Sequence, residues 1–294
     1  MPEPPRLYQP TTVDAAVGLL SSLGDDAKVV AGATALTILM RQRLIAPTAL
    51  VSLGAIPGLD GIAASDGHLR LGAMVRHRDV ERSHLVRTSI PLLADTFAKV
   101  ANVRVRNAAT VGGVLAESDY ASDPPAVLVA LDAAVEVRGP RGERRIPIAD
   151  FFVAFYETAL EPDEIVTGVE VPIPPPGSGT AYHKFVTRSS EDRPCVGVAA
   201  VVRLAADGSC ADLRVAVGAA AETPQRFTEV EALATGERLE PDLIAHVADE
   251  YAARIETLDD MRGSAWYRTQ MVRVWVRRAI ESALGATAGR PAAD

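Results

Sequence analysis

A chain of 294 residues that is 48% hydrophobic and 23% charged has ordinary globular composition and can bury a sizeable core divided over two or three domains. Its formal charge of -8 and its lack of any Lys/Arg run exclude a nucleic-acid surface, which needs clustered cations to displace counterions. The opening MPEPPRLYQPTT carries no apolar stretch behind a basic start, and no apolar run approaches the ~20 residues of a bilayer span, so a cytoplasmic chain with no signal peptide and no transmembrane segment is expected. In chain order, Thr11 and Asp14 form a capping-box-like start ahead of Ala15, Ala16, Val17, Leu19 and Leu20, and Gly24 closes that helix. Val29 and Val30 form a short strand that runs into AGATALTILMRQRL, where Leu36, Leu39, Met40 and Ile45 predict a second helix from near Thr34. ALVSL, Ala49 to Leu53, returns as a strand, giving β-α-β-α-β.

From Gly61 to about Val171 the pattern is mixed. GIAASDGHLRLGAMV alternates around Asp66-Gly67, a type I′ hairpin signal, and helices are predicted near Asp79 to Val86 and Pro91 to Val100. PPAVLVALDA reads as a short buried helix, AVEVRGPRGERRIPI as a hairpin about Arg141-Gly142, and EIVTGVEVPI as the strand that closes the region. Pro172, Pro174, Pro175, Pro176 and Gly177 then interrupt any sheet, because proline has no N–H to donate. Beyond them come three strand-like segments, AYHKFVTR, CVGVAAVVRL and ADLRVAVGAA, and helices near Phe227 to Ala234, Leu243 to Ile255 and Ala265 to Leu284. The last helix is amphipathic, with Met271, Val274, Trp275, Ile280 and Leu284 on or near one stripe.

Two glycine turns could cradle a phosphate. In VVAGATAL a strand ends at Gly32 and a helix begins by Thr34, so backbone N–H groups point at one place. In TVGGVL the pair Gly112-Gly113 could take backbone angles closed to other residues and form a similar nest. Each has an equally plain structural reading, a tight turn that wants glycine whatever binds there. Asp123, directly before Pro124, likewise fits an N-cap ahead of a proline-started helix. Neither glycine turn is a Walker or Rossmann fingerprint.

Other chemistry is sparse. Cys195 and Cys210 have no CxxC spacing and are expected as reduced thiols; two cysteines cannot supply the thiolate set of an iron-sulfur cluster, so any cluster belongs to another chain. The histidines at 68, 77, 84, 183 and 246 show no HxH or HExxH spacing, so no metal site is expected, and no GxSxG elbow is present. His77, between Arg76 and Arg78, is expected to be solvated. No catalytic residue is assigned.

The segments AGATALTILMRQRLIAPTALVSL, VRNAATVGGVLAESDYASDPPAVLVALDA, DEIVTGVEVP and AYHKFVTRSSEDRPCVGVAA, in this order, resemble the FAD-binding medium subunit of the molybdenum hydroxylases, the carbon monoxide dehydrogenase and xanthine dehydrogenase type. The resemblance covers almost the whole chain. It implies an α/β plus α+β fold: a two-part FAD-binding region of the vanillyl-alcohol-oxidase-like, PCMH type over residues 1–176, with subdomains about 1–56 and 57–176. A C-terminal flavoprotein domain over residues 177–294 follows, with a three-stranded antiparallel sheet and helices.

By that resemblance Ala31, Gly32, Ala33, Thr34 and Ala35 form the pyrophosphate loop, with Ala33 where a second glycine is usual and Ala35 where a polar residue is usual. Thr110, Val111, Gly112, Gly113 and Val114 match the second loop, with Val114 in place of its final polar residue. Asp123 is expected to bond hydroxyls of the flavin nucleotide, Ile165 and Val166 to line the isoalloxazine side, and Lys184 to approach the ring from the C-terminal domain. On residues alone Lys184 reads as a solvated strand lysine. The loop SSEDRP departs from the Gly-Asp pattern of relatives.

The function implied is that of the FAD-carrying electron-transfer subunit of a heterotrimer. A large partner subunit holds the molybdenum cofactor, a small partner subunit holds [2Fe-2S] clusters, and a dimer of such heterotrimers is the expected assembly. A free-standing FAD-dependent oxidase or reductase, and a scaffold that has lost FAD, are the rival readings.

Overall fold

The computed structural model describes residues 4–287. Arg6–Tyr8, Ala49–Ser52 and Ala27–Val30 form a parallel sheet in that order, with the helices Val13–Leu23 and Leu36–Arg41 as the crossovers. The first helix is capped by Thr12 rather than Thr11: the Thr12 hydroxyl accepts from the Ala15 N–H at 3.1 Å, and Asp14 pairs with Arg138 at 2.8 Å instead of closing a capping box. Gly24 ends it at φ 65°. The second helix stops short of Ile45 because Arg43 adopts φ 58° and turns the chain.

An antiparallel sheet of five strands follows, in the order Ile62–Ser65, His68–Gly72, Ile165–Pro172, Ala134–Gly139, Gly142–Pro147. Asp66 and Gly67 take φ 49° and 77°, the paired positive angles of a type I′ turn. Ile165–Pro172 closes the region in sequence yet lies at the centre of the sheet, between His68–Gly72 and Ala134–Gly139. The helix expected over Asp79 to Val86 is two: His77–Arg82 ends at Ser83, whose hydroxyl accepts from the Val86 N–H at 3.3 Å and so starts His84–Ser89.

Asp123–Ala130 is buried along its whole length. It packs against the helix Pro91–Ala98 and against the strands Val196–Leu204 and Cys210–Gly218, which is why its sequence is apolar all round. Those two strands and Gly179–Phe185 form the three-stranded antiparallel sheet, backed by Pro241–Arg254 and Ala265–Thr287.

The buried stripe of the last helix runs through Arg268, Val272, Val276, Ala279, Ile280 and Ala283. Met271, Trp275 and Leu284 only flank the core, so the stripe read from the sequence is displaced around the helix. Arg268 explains the displacement. It is fully buried and donates to the carbonyls of Cys195 (3.1 Å), Leu258 (2.7 Å) and Gly263 (2.9 Å) and to Asp260 Oδ1 (2.7 Å), so its charge is answered inside the protein. Cys195 and Cys210 are free and buried, and burial pushes both thiols up. Among the described residues no helix is long and apolar enough to cross a membrane.

Candidate functional site

A cleft of about 720 Å³ runs between the parallel unit, the five-stranded region and the C-terminal sheet, within the size range of small-molecule sites. All the expected site residues line it except Val111. Val111 is fully buried in the core, because its helix turns that position inward.

The loop Ala31–Ala35 lines the cleft. Among the described residues, no protein acceptor receives the backbone N–H groups of Gly32, Ala33, Thr34 and Ala35, so four donors are free for a ligand. Ala33 sits at φ 57°, a left-handed angle that bends the loop. Gly32 is small for a reason internal to the protein: a Cβ there would lie 2.0 Å from the Ala108 carbonyl oxygen. Its bareness lets the first loop lie against the segment leading into the second.

The second loop differs from the expected nest. Gly112 and Gly113 are absent from the left-handed glycines and open the helix Val111–Glu117, for which Thr110 is the N-cap. Their donors are consumed: Val111 N–H by Val75 O (2.9 Å), Gly112 N–H by Ala73 O (2.8 Å), and Gly113 N–H by the Thr110 hydroxyl (3.1 Å). Val114 N–H bonds Thr110 O at 3.0 Å. The pair therefore offers a bare wall rather than an anion cradle.

In the same cleft, Asp123 and Lys184 meet at 3.0 Å, with side chains 4% and 7% exposed. Asp123 is the first residue of its helix, not the N-cap; Ser122 holds that position without a side-chain bond. Its carboxylate is committed elsewhere, Oδ1 accepting from Tyr182 OH at 2.7 Å and Oδ2 from Lys184 Nζ. Lys184 also donates to the Lys99 carbonyl at 2.8 Å, and Lys99 Nζ to the Tyr182 carbonyl at 2.8 Å. The solvated reading of Lys184 is thus corrected. Burial pushes the Asp123 carboxyl up while Lys184 and the Tyr182 hydroxyl pull it back; burial and Asp123 together push the Tyr182 phenol up. Burial lowers the Lys99 ammonium.

Tyr182 and Lys99 were not singled out from the sequence. The spacing of Tyr182-x-Lys184 held the signal for the first, since alternate strand residues share a face and so reach the same carboxylate. Nothing local marked Lys99. His77 is also corrected: it is 2% exposed, bonds the Thr110 carbonyl through Nε2 at 3.2 Å and lies edge-on to Phe97. Burial brings its pKa down to about 4, so the ring is neutral. The SSEDRP loop contributes Glu191, Asp192 and Arg193 to the lining of the cleft, beside Arg188 that precedes it, and Arg193 reaches Asp119 Oδ2 at 2.5 Å.

Free backbone donors and a buried Lys–Asp pair lining one cleft, with the C-terminal sheet supplying the lysine, are the features of a dinucleotide-binding flavoprotein. Residues 3–174 match the FAD binding domain in molybdopterin dehydrogenase, and residues 181–283 match the CO dehydrogenase flavoprotein C-terminal domain. The chain belongs to the FAD-binding medium subunits of the molybdenum hydroxylases.

It is 35% identical to the 6-hydroxypseudooxynicotine dehydrogenase complex subunit alpha of Paenarthrobacter nicotinovorans, over 93% of this chain and 92% of that one. It is 34% identical to the carbon monoxide dehydrogenase medium chain of Hydrogenophaga pseudoflava, over 95% and 98%. The solved structure of carbon monoxide dehydrogenase from Hydrogenophaga pseudoflava that lacks the Mo-pyranopterin moiety superposes with a TM-score of 0.94, covering 97% of this chain and 99% of that one at 34% identity. Quinoline 2-oxidoreductase from Pseudomonas putida 86 does so with a TM-score of 0.91 over 97% and 99%, at 28% identity. The fold is the two-part PCMH-type FAD-binding region followed by the domain with the three-stranded antiparallel sheet.

Proposed function

We propose that this chain is the electron-transferring subunit of a cytoplasmic heterotrimer. It receives electrons from [2Fe-2S] clusters on a small subunit, after a large subunit with a molybdenum cofactor has oxidised the substrate, and delivers them to an external acceptor. A dimer of such heterotrimers is the simplest assembly. Residues 1–176, in halves dividing near residue 56, hold the dinucleotide, and residues 177–294 close over its ring. FAD, when bound, supplies the redox chemistry that passes electrons from one-electron clusters to the external acceptor.

The observation that carries this reading is the pairing of free donors and a buried ion pair along one cleft. The N–H groups of Gly32 to Ala35 suit a pyrophosphate, since each has a hydrogen to give and no protein oxygen to take it. Gly113 and Val114 supply a smooth wall beside them, and Thr110 holds that wall in place through its cap. Ile165 and Val166, buried at the start of the central strand, give an apolar face for a flat ring. Asp123 has lone pairs beyond those used by Tyr182 and Lys184, and these can accept from ligand hydroxyls. Lys184 brings a cation to the same wall, fixed by Asp123 and the Lys99 carbonyl so that it costs little further ordering when a ring with developing negative charge lies near it.

The test is native purification from the source cell, with flavin extraction, molybdenum and iron analysis and mass spectrometry of the associated chains. A yellow protein with non-covalent FAD and two partner chains is expected. A colourless chain that ignores added FAD would overturn the cofactor assignment. A flavin-bearing monomer that oxidises an organic substrate without molybdenum or iron would establish an independent oxidase instead.

A further inference from the structure

The cleft suits a polyanion, yet its wall carries a carboxyl that, among the described residues, forms no ion pair. Glu117 ends the helix Val111–Glu117, four residues after Gly113, so the two share a face about 6 Å apart along the axis. Glu117 lines the cleft, half-buried. Among the described residues, no donor bonds its carboxylate, and none of the ion pairs formed by the cleft's cations includes it.

Of the cations lining the cleft, Lys28 forms no ion pair with Glu117 or with any other described residue, and the rest are committed elsewhere. Arg193 is taken by Asp119, which is itself 3% exposed. Lys184 is held by Asp123, Arg262 by Asp260 and the Tyr120 hydroxyl, and Arg188 by Asp192. The groups that act on Glu117 are therefore Asp119 and Arg193, with Tyr156 facing it from the turn between Phe152–Ala154 and Glu157–Thr158. Burial first, then the Asp119 charge, push the Glu117 carboxyl up to about 7, against a smaller opposing pull from Arg193. His77, with its pKa near 4, is already neutral at that pH and does not compete.

We propose that Glu117 makes dinucleotide binding proton-coupled: its carboxylate takes one proton from solvent as the anionic ligand enters the cleft, and it stays a neutral carboxyl while the ligand is bound. The inference rests on the assignment of FAD to this cleft. A pyrophosphate brings two further negative charges and displaces water, and both disfavour an ionised carboxyl that has no counter-charge of its own. By linkage, whatever the ligand does to the proton the proton does to the ligand. Affinity is then full below the free carboxyl's pKa and falls as pH rises through it.

The test is calorimetric titration of FAD into the full chain freed of flavin, at about pH 6, 7 and 8, each in two buffers of different ionisation enthalpy. Expected are an uptake of about half a proton near pH 7 and about nine-tenths near pH 8, with a dissociation constant about fivefold weaker at 8 than at 7. Glu117→Gln, a neutral isostere, should take up no proton and bind near pH 8 as tightly as the wild type does near pH 6. FAD binding with no proton uptake at any of these pH values overturns the proposal, and so does uptake that persists in Glu117→Gln, which would belong to Asp123. A chain that binds no FAD at any pH overturns the cofactor assignment itself, an outcome distinct from either.

Discussion

Lys184 Nζ lies 3.0 Å from Asp123 Oδ2, joining the edge strand of the C-terminal sheet to the first residue of the buried helix that underlies it. Both side chains are nearly fully buried, and each supplies the other's paired counter-charge, beside the Tyr182 hydroxyl on Asp123 and the Lys99 carbonyl under Lys184. Lys184→Met leaves Asp123 buried without its ion-pair partner and is expected to cost ~3 kcal/mol, whereas Asp123→Asn keeps an acceptor for Tyr182 and costs less. Denaturant titration of both single variants and the double variant should give a cost for the double well below the sum of the singles. Additive costs would show that the pair is not coupled.

Ala33 holds φ 57°, an angle that a β-carbon resists and glycine accepts freely. Ala33→Gly relieves the left-handed strain while adding disorder to the unfolded chain, and a net gain of ~0.5 kcal/mol is expected. Ala33→Val goes the other way, because β-branching makes the same angle costlier. Thermal melts of the two variants should bracket the wild type, and a loss on going to glycine would contradict the loop geometry.

His77 is buried and neutral, with a pKa lowered to about 4 chiefly by desolvation. Unfolding frees a ring of pKa ~6.5, so below that value the unfolded chain binds the extra proton. Its contribution is present above pH ~6.5 and is lost as pH falls toward 4, by ~3 kcal/mol in all at the cited shift. Urea unfolding of the wild type between those limits should show this slope on top of the general acid effect. His77→Gln, which can still donate to the Thr110 carbonyl, should flatten it, and an unchanged slope would assign the acid sensitivity elsewhere.

What the sequence showed and what it hid divide along the range of the interactions. The hairpin at Asp66-Gly67, the helix end at Gly24 and the buried helix after Asp123 rest on neighbours along the chain, so local spacing reveals them. Ile165–Pro172 is central only because strands distant in sequence, His68–Gly72 and Ala134–Gly139, flank it. Arg268 and Lys184 look like surface cations until the carbonyls and carboxylates that satisfy them are brought together by the fold. The second glycine loop was misread for the same reason: whether Gly112 N–H is free depends on Ala73, far upstream. The resemblance located these loops, and only the geometry separates the loop with free donors from the loop without them.

That separation gives adjacent glycines opposite fates. A Cβ on Gly112 would lie 2.6 Å from Ala73 Cβ and 3.0 Å from the carbonyl to which Gly112 donates, and backbone on a core strand end cannot retreat cheaply. Gly112→Ala is therefore expected to cost ~1–3 kcal/mol through overpacking, with a lower melting temperature whether or not FAD is present. On Gly113 the Cβ would meet only the Thr110 hydroxyl, at 2.8 Å. That side chain can rotate away at the loss of a cap, ~1 kcal/mol, and alanine returns about as much in helix propensity. Gly113→Ala should thus melt close to the wild type without ligand, but it narrows the cleft wall and should retain less FAD through gel filtration. Measuring melting temperature and flavin content on both variants separates packing from binding. Equal loss of stability in the two would mean that Gly113 also faces protein, and that the wall of the cleft lies elsewhere.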